Sequence, residues 1–97
     1  MIKIRFATKE DLQEMIGLYV DNNPENQTAR YNFAIMCEQL NNIDLAKNNY
    51  NQILKINAKH WKSIFNLYLI YIKEKKYEKA LNLVNDILIS NLIINLP

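Results

Sequence analysis

Two consecutive stretches of 34 residues decide the fold: residues 27–60, QTARYNFAIMCEQLNNIDLAKNNYNQILKINAKH, and residues 61–94, WKSIFNLYLIYIKEKKYEKALNLVNDILISNLII. Aligned without a gap, they carry similar side chains at the same places. A period of this length indicates a helical repeat, in which each unit is one pair of helices. The aligned pairs are Asn32 with Asn66, Phe33 with Leu67, Asp44 with Glu78, Ala46 with Ala80, Tyr50 with Val84, Ile53 with Ile87, and Leu54 with Leu88.

Apolar spacing and helix-breaking residues divide the chain into five predicted helices. Thr8 and Asp11 resemble a capping box at the start of the first helix. Pro24 ends that helix, because proline disfavours helical backbone at the residue before it. Asn41 suits a helix end, since asparagine tolerates the left-handed conformation found there. The helices are predicted over residues 9–21, 25–40, 43–57, 61–74, and from 77 to at least 89.

The N-terminal part differs from the two repeats. Residues 2–6 alternate apolar and charged side chains, which predicts a short strand. Residues 9–26 align with the second helices of the later units and are interpreted as half a repeat. We therefore predict a single domain over residues 1–97, with an N-terminal segment at 1–8. The predicted apolar face of the first helix comprises Leu12, Met15, Ile16, Tyr19 and Val20.

The chain resembles the tetratricopeptide repeat family over nearly all of its length after residue 8. The shared features are a large apolar residue in each first helix, alanine in each second helix (Ala46 and Ala80), and proline at a unit boundary. A small residue lets two antiparallel helices pack closely. The sequence departs from the family pattern at Tyr68 and Lys75, where the family has small residues. The resemblance implies an all-α fold of antiparallel helix-turn-helix repeats, stacked as a short right-handed solenoid.

In the family, the first helix of each unit lines a groove that binds peptides or helices of a partner. The recurring Asn32 and Asn66 match asparagines that in some members hold a peptide backbone, although bonding between neighbouring helices is an alternative. Chaperone C-terminal carboxylates are not expected to bind, because Tyr31 and Ile35 occupy the early clamp positions. Part of this surface is alternatively covered by the N-terminal segment or the tail. The resemblance implies these groove residues: Tyr31, Asn32, Ile35, Lys62, Phe65, Asn66, Leu69, Ile72 and Lys73.

Catalytic and metal chemistry have little support in the sequence. Cys37 and His60 are the only cysteine and histidine, and they lie in different units. Cys37 is expected to be a buried thiol, and no residues have the spacing of metal ligands. We therefore predict neither enzymatic activity nor a cofactor. The net charge of +2 is too small to indicate nucleic-acid binding, and no apolar stretch is long enough to span a membrane. We expect a cytoplasmic protein.

Two alternatives to partner binding remain open. Arrays of this kind usually need three or more units and a polar end, whereas the tail at residues 87–96 is apolar and uncharged. This favours a homodimer formed through the tail or the open last helix pair. Residues 3–12 also resemble the opening strand and helix of many acetyltransferases. Such an enzyme needs a glycine-rich phosphate loop at a helix start, and Gly17, the only glycine, lies inside a predicted helix.

Overall fold

The computed structural model describes residues 8–94, with the side chains up to Asn85 and that of Ile89. The described residues form five helices without a strand, so the predicted all-α fold is confirmed. Four predicted helices end within two residues of the observed bounds, and the last continues beyond its predicted minimum. The predicted strand at residues 2–6 lies outside the described residues. The helices are α1 (Lys9–Asn22), α2 (Gln27–Gln39), α3 (Ile43–Ile56), α4 (Trp61–Lys73) and α5 (Tyr77–Ile94).

The start of α1 has the predicted capping box. The Asp11 N–H donates to Thr8 Oγ1 at 3.1 Å, and the Thr8 N–H donates to Asp11 Oδ2 at 2.9 Å. Both bonds satisfy backbone donors that have no partner within the helix. At the other end, the Asn23 side chain donates to the Tyr19 carbonyl at 2.8 Å. These local bonds explain why α1 begins and ends where the sequence predicts.

The ends of α2 and α4 have the same geometry, 34 residues apart. Asn41 and Lys75 adopt positive φ angles of 61° and 60°. In both turns the following residue donates its N–H to the carbonyl five positions back, at 2.8 Å. This pattern is the Schellman motif, which usually places glycine at the left-handed residue. The sequence period therefore recurs in the backbone hydrogen bonds of the two turns.

The helices group into two compact units, residues 1–49 and residues 50–97, and α3 contributes to both. In the first unit α1 packs against α2. A Cβ at Gly17 would lie 3.2 Å from Phe33 Cζ, so glycine allows the two helices to approach closely. The fully buried apolar side chains of this unit include those of Val20, Ala34, Cys37 and Ala46.

The face that α1 buries is narrower than its apolar pattern. Val20 is buried and Ile16 is half-buried, whereas Leu12, Met15 and Tyr19 are exposed. The contact with α2 runs along the side of α1 that carries Gly17 and Val20. The other apolar side chains of α1 therefore remain on the surface of this unit.

In the second unit, α4 packs against α5. Ala80 is buried, as Ala46 is in the first unit, which agrees with the small crossing residue predicted for each second helix. Leu67 is also fully buried, and burying a side chain of that size contributes about 2 kcal/mol relative to exposing it. The core of this unit is formed by Tyr50, Ile53, Ile64, Leu67, Ile70 and Ala80.

Candidate protein-binding surface

One side of α4 carries large apolar side chains that face solvent. Trp61, Phe65 and Leu69 are 57%, 61% and 39% exposed. Their spacing of four residues places them in one row along the helix. On the opposite side, Ile64 and Leu67 are buried in the core. The row Trp61, Phe65 and Leu69 is called the α4 stripe below, and it contains two of the predicted groove residues.

The other predicted groove residues of α4 border this stripe. Lys73 lies four residues after Leu69 at the end of the row and is exposed, as is Lys62, while Ile72 is half-buried. A lysine beside an apolar row can cover part of it with its methylene chain and keep its ammonium in water. The stripe is therefore apolar along its centre and positively charged at its margin.

Asn66, another of the predicted groove residues, makes a hydrogen bond inside the protein. Its Nδ2 donates to the Tyr50 hydroxyl at 3.4 Å, which links α4 to α3 within the second unit. Tyr50 is fully buried, and a buried phenol needs such a partner. The bond joins neighbouring helices, and a peptide-holding role for Asn66 stays a prediction.

The predicted groove residues of α2 lie in the first compact unit. Tyr31 and Ile35 are half-buried, and Asn32 is exposed. Phe33 and Cys37 of the same helix are buried in the core. The structure thus places Tyr31, Asn32 and Ile35 together on α2, and it places the six other predicted residues together on α4.

A buried arginine in the first unit was not predicted. Arg30 Nη1 donates to Asn49 Oδ1 at 2.8 Å, and Nη2 donates to the Val20 carbonyl at 3.1 Å. Nη2 also lies 3.3 Å from an Asp21 carboxylate oxygen that is largely exposed. Asn49 in turn donates to the Leu45 carbonyl at 2.8 Å. Arg30 therefore ties α2 to the end of α1 and to α3, which is a structural role.

The sequence does contain a signal for this network. The residue 34 positions after Arg30 is Ile64, and the residue 34 positions after Asn49 is Leu83. Arg30 and Asn49 thus occupy two positions that are apolar in the other repeat. Two polar residues that replace two apolar ones in equivalent places indicate a buried pair.

Cys37 and His60 both have structural environments. Cys37 is buried and accepts a hydrogen bond from Gln13 Nε2 at 3.4 Å. Burial raises the pKa of the Cys37 thiol, and the bond from Gln13 opposes that rise. A raised pKa disfavours the thiolate that a nucleophile needs. His60 is the N-cap of α4, where Nδ1 accepts from the Ser63 N–H at 3.3 Å.

A second apolar surface lies between α4 and α5. It is a groove of about 300 Å³, called the α4–α5 groove below. At one end of it, Tyr77 lies among Lys75, Lys76 and Lys79, together with Glu78. Lys76 pairs with Glu74 at 3.5 Å, and Lys79 Nζ lies 6.0 Å from the Tyr71 ring centroid. The side chains that line the groove are Tyr68, Ile72, Tyr77, Ala80, Leu81 and Val84.

Metal-binding clusters and membrane-spanning helices are both absent from the part of the chain that the structure describes. Among the side chains that the structure describes, no three or more from His, Cys, Asp or Glu are placed together to hold a metal ion. Among the described helices, none has both the length and the apolar character needed to cross a membrane. No protein-family model, curated protein or solved structure matches the chain.

Proposed function

We propose that this chain is a protein-binding module of the tetratricopeptide-repeat type, which binds an apolar, helical segment of a partner along the α4 stripe. The observation that carries the proposal is the exposure of Trp61, Phe65 and Leu69 in one row. Contiguous exposed apolar surface usually marks an interaction site. Aromatic side chains are also the residues that most often dominate the energy of an interface.

The charge beside the stripe supports a particular kind of partner. Lys62 and Lys73 lie on α4 next to the apolar row and are exposed. Positive charge at the rim of an interface selects partners with negative charge at the matching place. The proposed ligand is therefore an amphipathic helix with apolar residues at a spacing of three or four and acidic residues beside them.

The proposal also covers the ligands that are excluded, the need for a cofactor and the location in the cell. Tyr31 and Ile35 stand at the early positions of a carboxylate clamp in place of its polar residues, so a chaperone C-terminal peptide is not a ligand of this module. Binding needs no cofactor and no catalytic group. The buried free thiol of Cys37 suits the reducing cytoplasm, which we propose as the location.

A selection from a random peptide library displayed on phage tests this function, because it identifies ligands by binding alone. The expected outcome is a set of peptides with apolar residues at helical spacing and acidic neighbours. Their binding should be lost in the variant Phe65→Asp with Leu69→Asp. A selection that yields no binder, or binders that the double variant retains, would refute the proposal.

Self-assembly is a second candidate function, and the α4–α5 groove is the observation that favours it. Its lining includes the exposed side chains of Tyr77 and Leu81, and exposed apolar surface of this kind usually marks an interaction site. A second copy of the chain that covers this groove would form the homodimer expected from the sequence. Light scattering at rising concentration tests this function, and a constant monomer mass would exclude it.

A further inference from the structure

The exposed side of α1 combines apolar and acidic side chains. Four large apolar residues of this helix lie more than two-fifths exposed, and Leu12 and Leu18 are 44% and 60% exposed. Within α1 there are four acidic residues and one basic residue, which gives the helix a net charge of −3. The exposed apolar residues, called the α1 patch below, are Leu12, Met15, Leu18 and Tyr19.

The unit that contains the α4–α5 groove has the opposite net charge. Residues 50–97 contain seven basic and three acidic side chains, for a net charge of +4. The lysines around Tyr77 stand at one end of the groove, because Tyr77 lines both the groove and the lysine cluster. An apolar groove with a basic end therefore lies in one unit, and an apolar helix face with acidic neighbours lies in the other.

We infer that the α1 patch of one copy docks in the α4–α5 groove of a second copy. This inference rests on the self-assembly proposal and names the segment that fills the groove, whereas the α4 stripe plays no part in it. The apolar side chains of α1 enter the groove, and Glu14, which lies one helical turn before Leu18, approaches the lysines at its end. The acidic face of α1 selects this orientation by electrostatic complementarity.

The size of the groove suits this occupant. A cavity of about 150 Å³ holds one benzene-sized group. A groove of about 300 Å³ therefore accommodates roughly two side chains of the size of Tyr19 and Met15. A single helix face presents two such side chains at a spacing of four residues.

The junction joins two different surfaces of the same chain. Such a contact either closes on itself or continues from copy to copy. Two copies that each place α1 in the groove of the other form a closed dimer, and otherwise the copies form a chain. Both assemblies use the same junction. Because the charges are at the surface, the junction should weaken as salt concentration rises.

Two variants of the full chain isolate the two halves of the junction. In the α1 variant, Met15→Asp is combined with Tyr19→Asp. In the groove variant, Tyr77→Asp is combined with Leu81→Asp. All four residues are exposed, so far-UV circular dichroism should show helix content unchanged in both. We expect each change to weaken the junction at least about 30-fold, as loss of central apolar contacts does in other interfaces.

Sedimentation equilibrium measures the mass of each protein alone and of the two variants mixed. Up to about 1 mM, a range that detects even a millimolar dissociation constant, the wild-type chain should form dimers or larger species, and each variant should remain monomeric. The mixture should form a one-to-one dimer, since one intact α1 patch and one intact groove remain. A monomeric wild-type chain, an α1 variant that still assembles, or a mixture that stays monomeric would overturn the inference.

Assembly through another surface has a different signature. The variant Phe65→Asp with Leu69→Asp should assemble as the wild-type chain does, because the α4 stripe lies outside the junction. If that variant is monomeric while the α1 variant assembles, the copies associate through the stripe and the inferred junction is wrong. This result leaves the peptide-binding proposal to be judged by the phage selection alone.

Discussion

The guanidinium of Arg30 donates to the amide oxygen of Asn49 at 2.8 Å, and both residues are buried. The bond joins α2 to α3 inside the first compact unit. It stands at two positions where the second repeat has Ile64 and Leu83. One repeat thus fills these places with a polar pair and the other with apolar side chains.

Arg30 and Asn49 should be replaceable by apolar residues without a large loss of stability only when both are changed together. Arg30→Ile alone should lower the free energy of unfolding by about 2 kcal/mol, because Asn49 Oδ1 loses its donor while buried. Asn49→Leu alone should lower the free energy of unfolding at least as much, because the buried guanidinium of Arg30 then loses its hydrogen-bond acceptor on α3. The double variant should recover most of the loss. Urea unfolding of the four proteins measures this coupling.

Two observations make the double variant a fair test. The Val20 carbonyl still accepts the Asn23 N–H at 3.2 Å when Arg30 is removed. The Asp21 side chain is 73% exposed and remains hydrated. If the two single losses simply add in the double variant, Arg30 and Asn49 are not coupled and the interpretation of this network is wrong.

Lys75 should be a source of strain in the turn between α4 and α5. Its φ of 60° costs a residue with a Cβ about 1–2 kcal/mol, which glycine avoids. Lys75→Gly should therefore raise the free energy of unfolding by about 1 kcal/mol, or the melting temperature by roughly 4–8 °C. Asn41→Gly is the matched control at the equivalent position. It should have a smaller effect, because asparagine tolerates this conformation. A lower melting temperature for Lys75→Gly would contradict the account.

His60 should stabilise α4 as its N-cap. His60→Ala removes the acceptor of the Ser63 N–H and should cost about 1 kcal/mol. His60→Asn should retain the stability, because Asn26 caps α2 at the equivalent position with a 3.0 Å bond to the Ala29 N–H. Thermal unfolding compares the two variants. Equal melting temperatures for His60→Ala and the wild-type chain would exclude a capping role.

Local sequence features predicted most of the helical framework. The buried Ala46 and Ala80 follow from the 34-residue alignment, whereas the Thr8 capping box and the left-handed Asn41 follow from side chains a few residues apart. Such features depend on the backbone nearby and not on the rest of the fold. For that reason the predicted helix ends agree closely with the structure.

The features that sequence reasoning missed depend on packing. Arg30 is buried against a partner, Asn49, that lies nineteen residues away along the chain, and only the comparison of the two repeats signals that contact. The exposure of Leu12 and Tyr19 follows from which side of α1 meets α2, and Gly17 and Val20 decide that side. Periodicity shows that α1 has an apolar face, but it does not show how much of the face is covered.

The affinity of a selected peptide tests the central claim most directly. Phe65→Asp with Leu69→Asp changes side chains that are 61% and 39% exposed, and Leu12→Asp with Leu18→Asp changes side chains that are 44% and 60% exposed. The two variants are matched in the number of aspartates introduced and in exposure, and they alter different surfaces. In calorimetry, the first should raise the dissociation constant at least about 100-fold, and the second should leave it within about threefold. Equal effects of the two variants, or undiminished binding by the first, would contradict the claim that the α4 stripe is the binding surface.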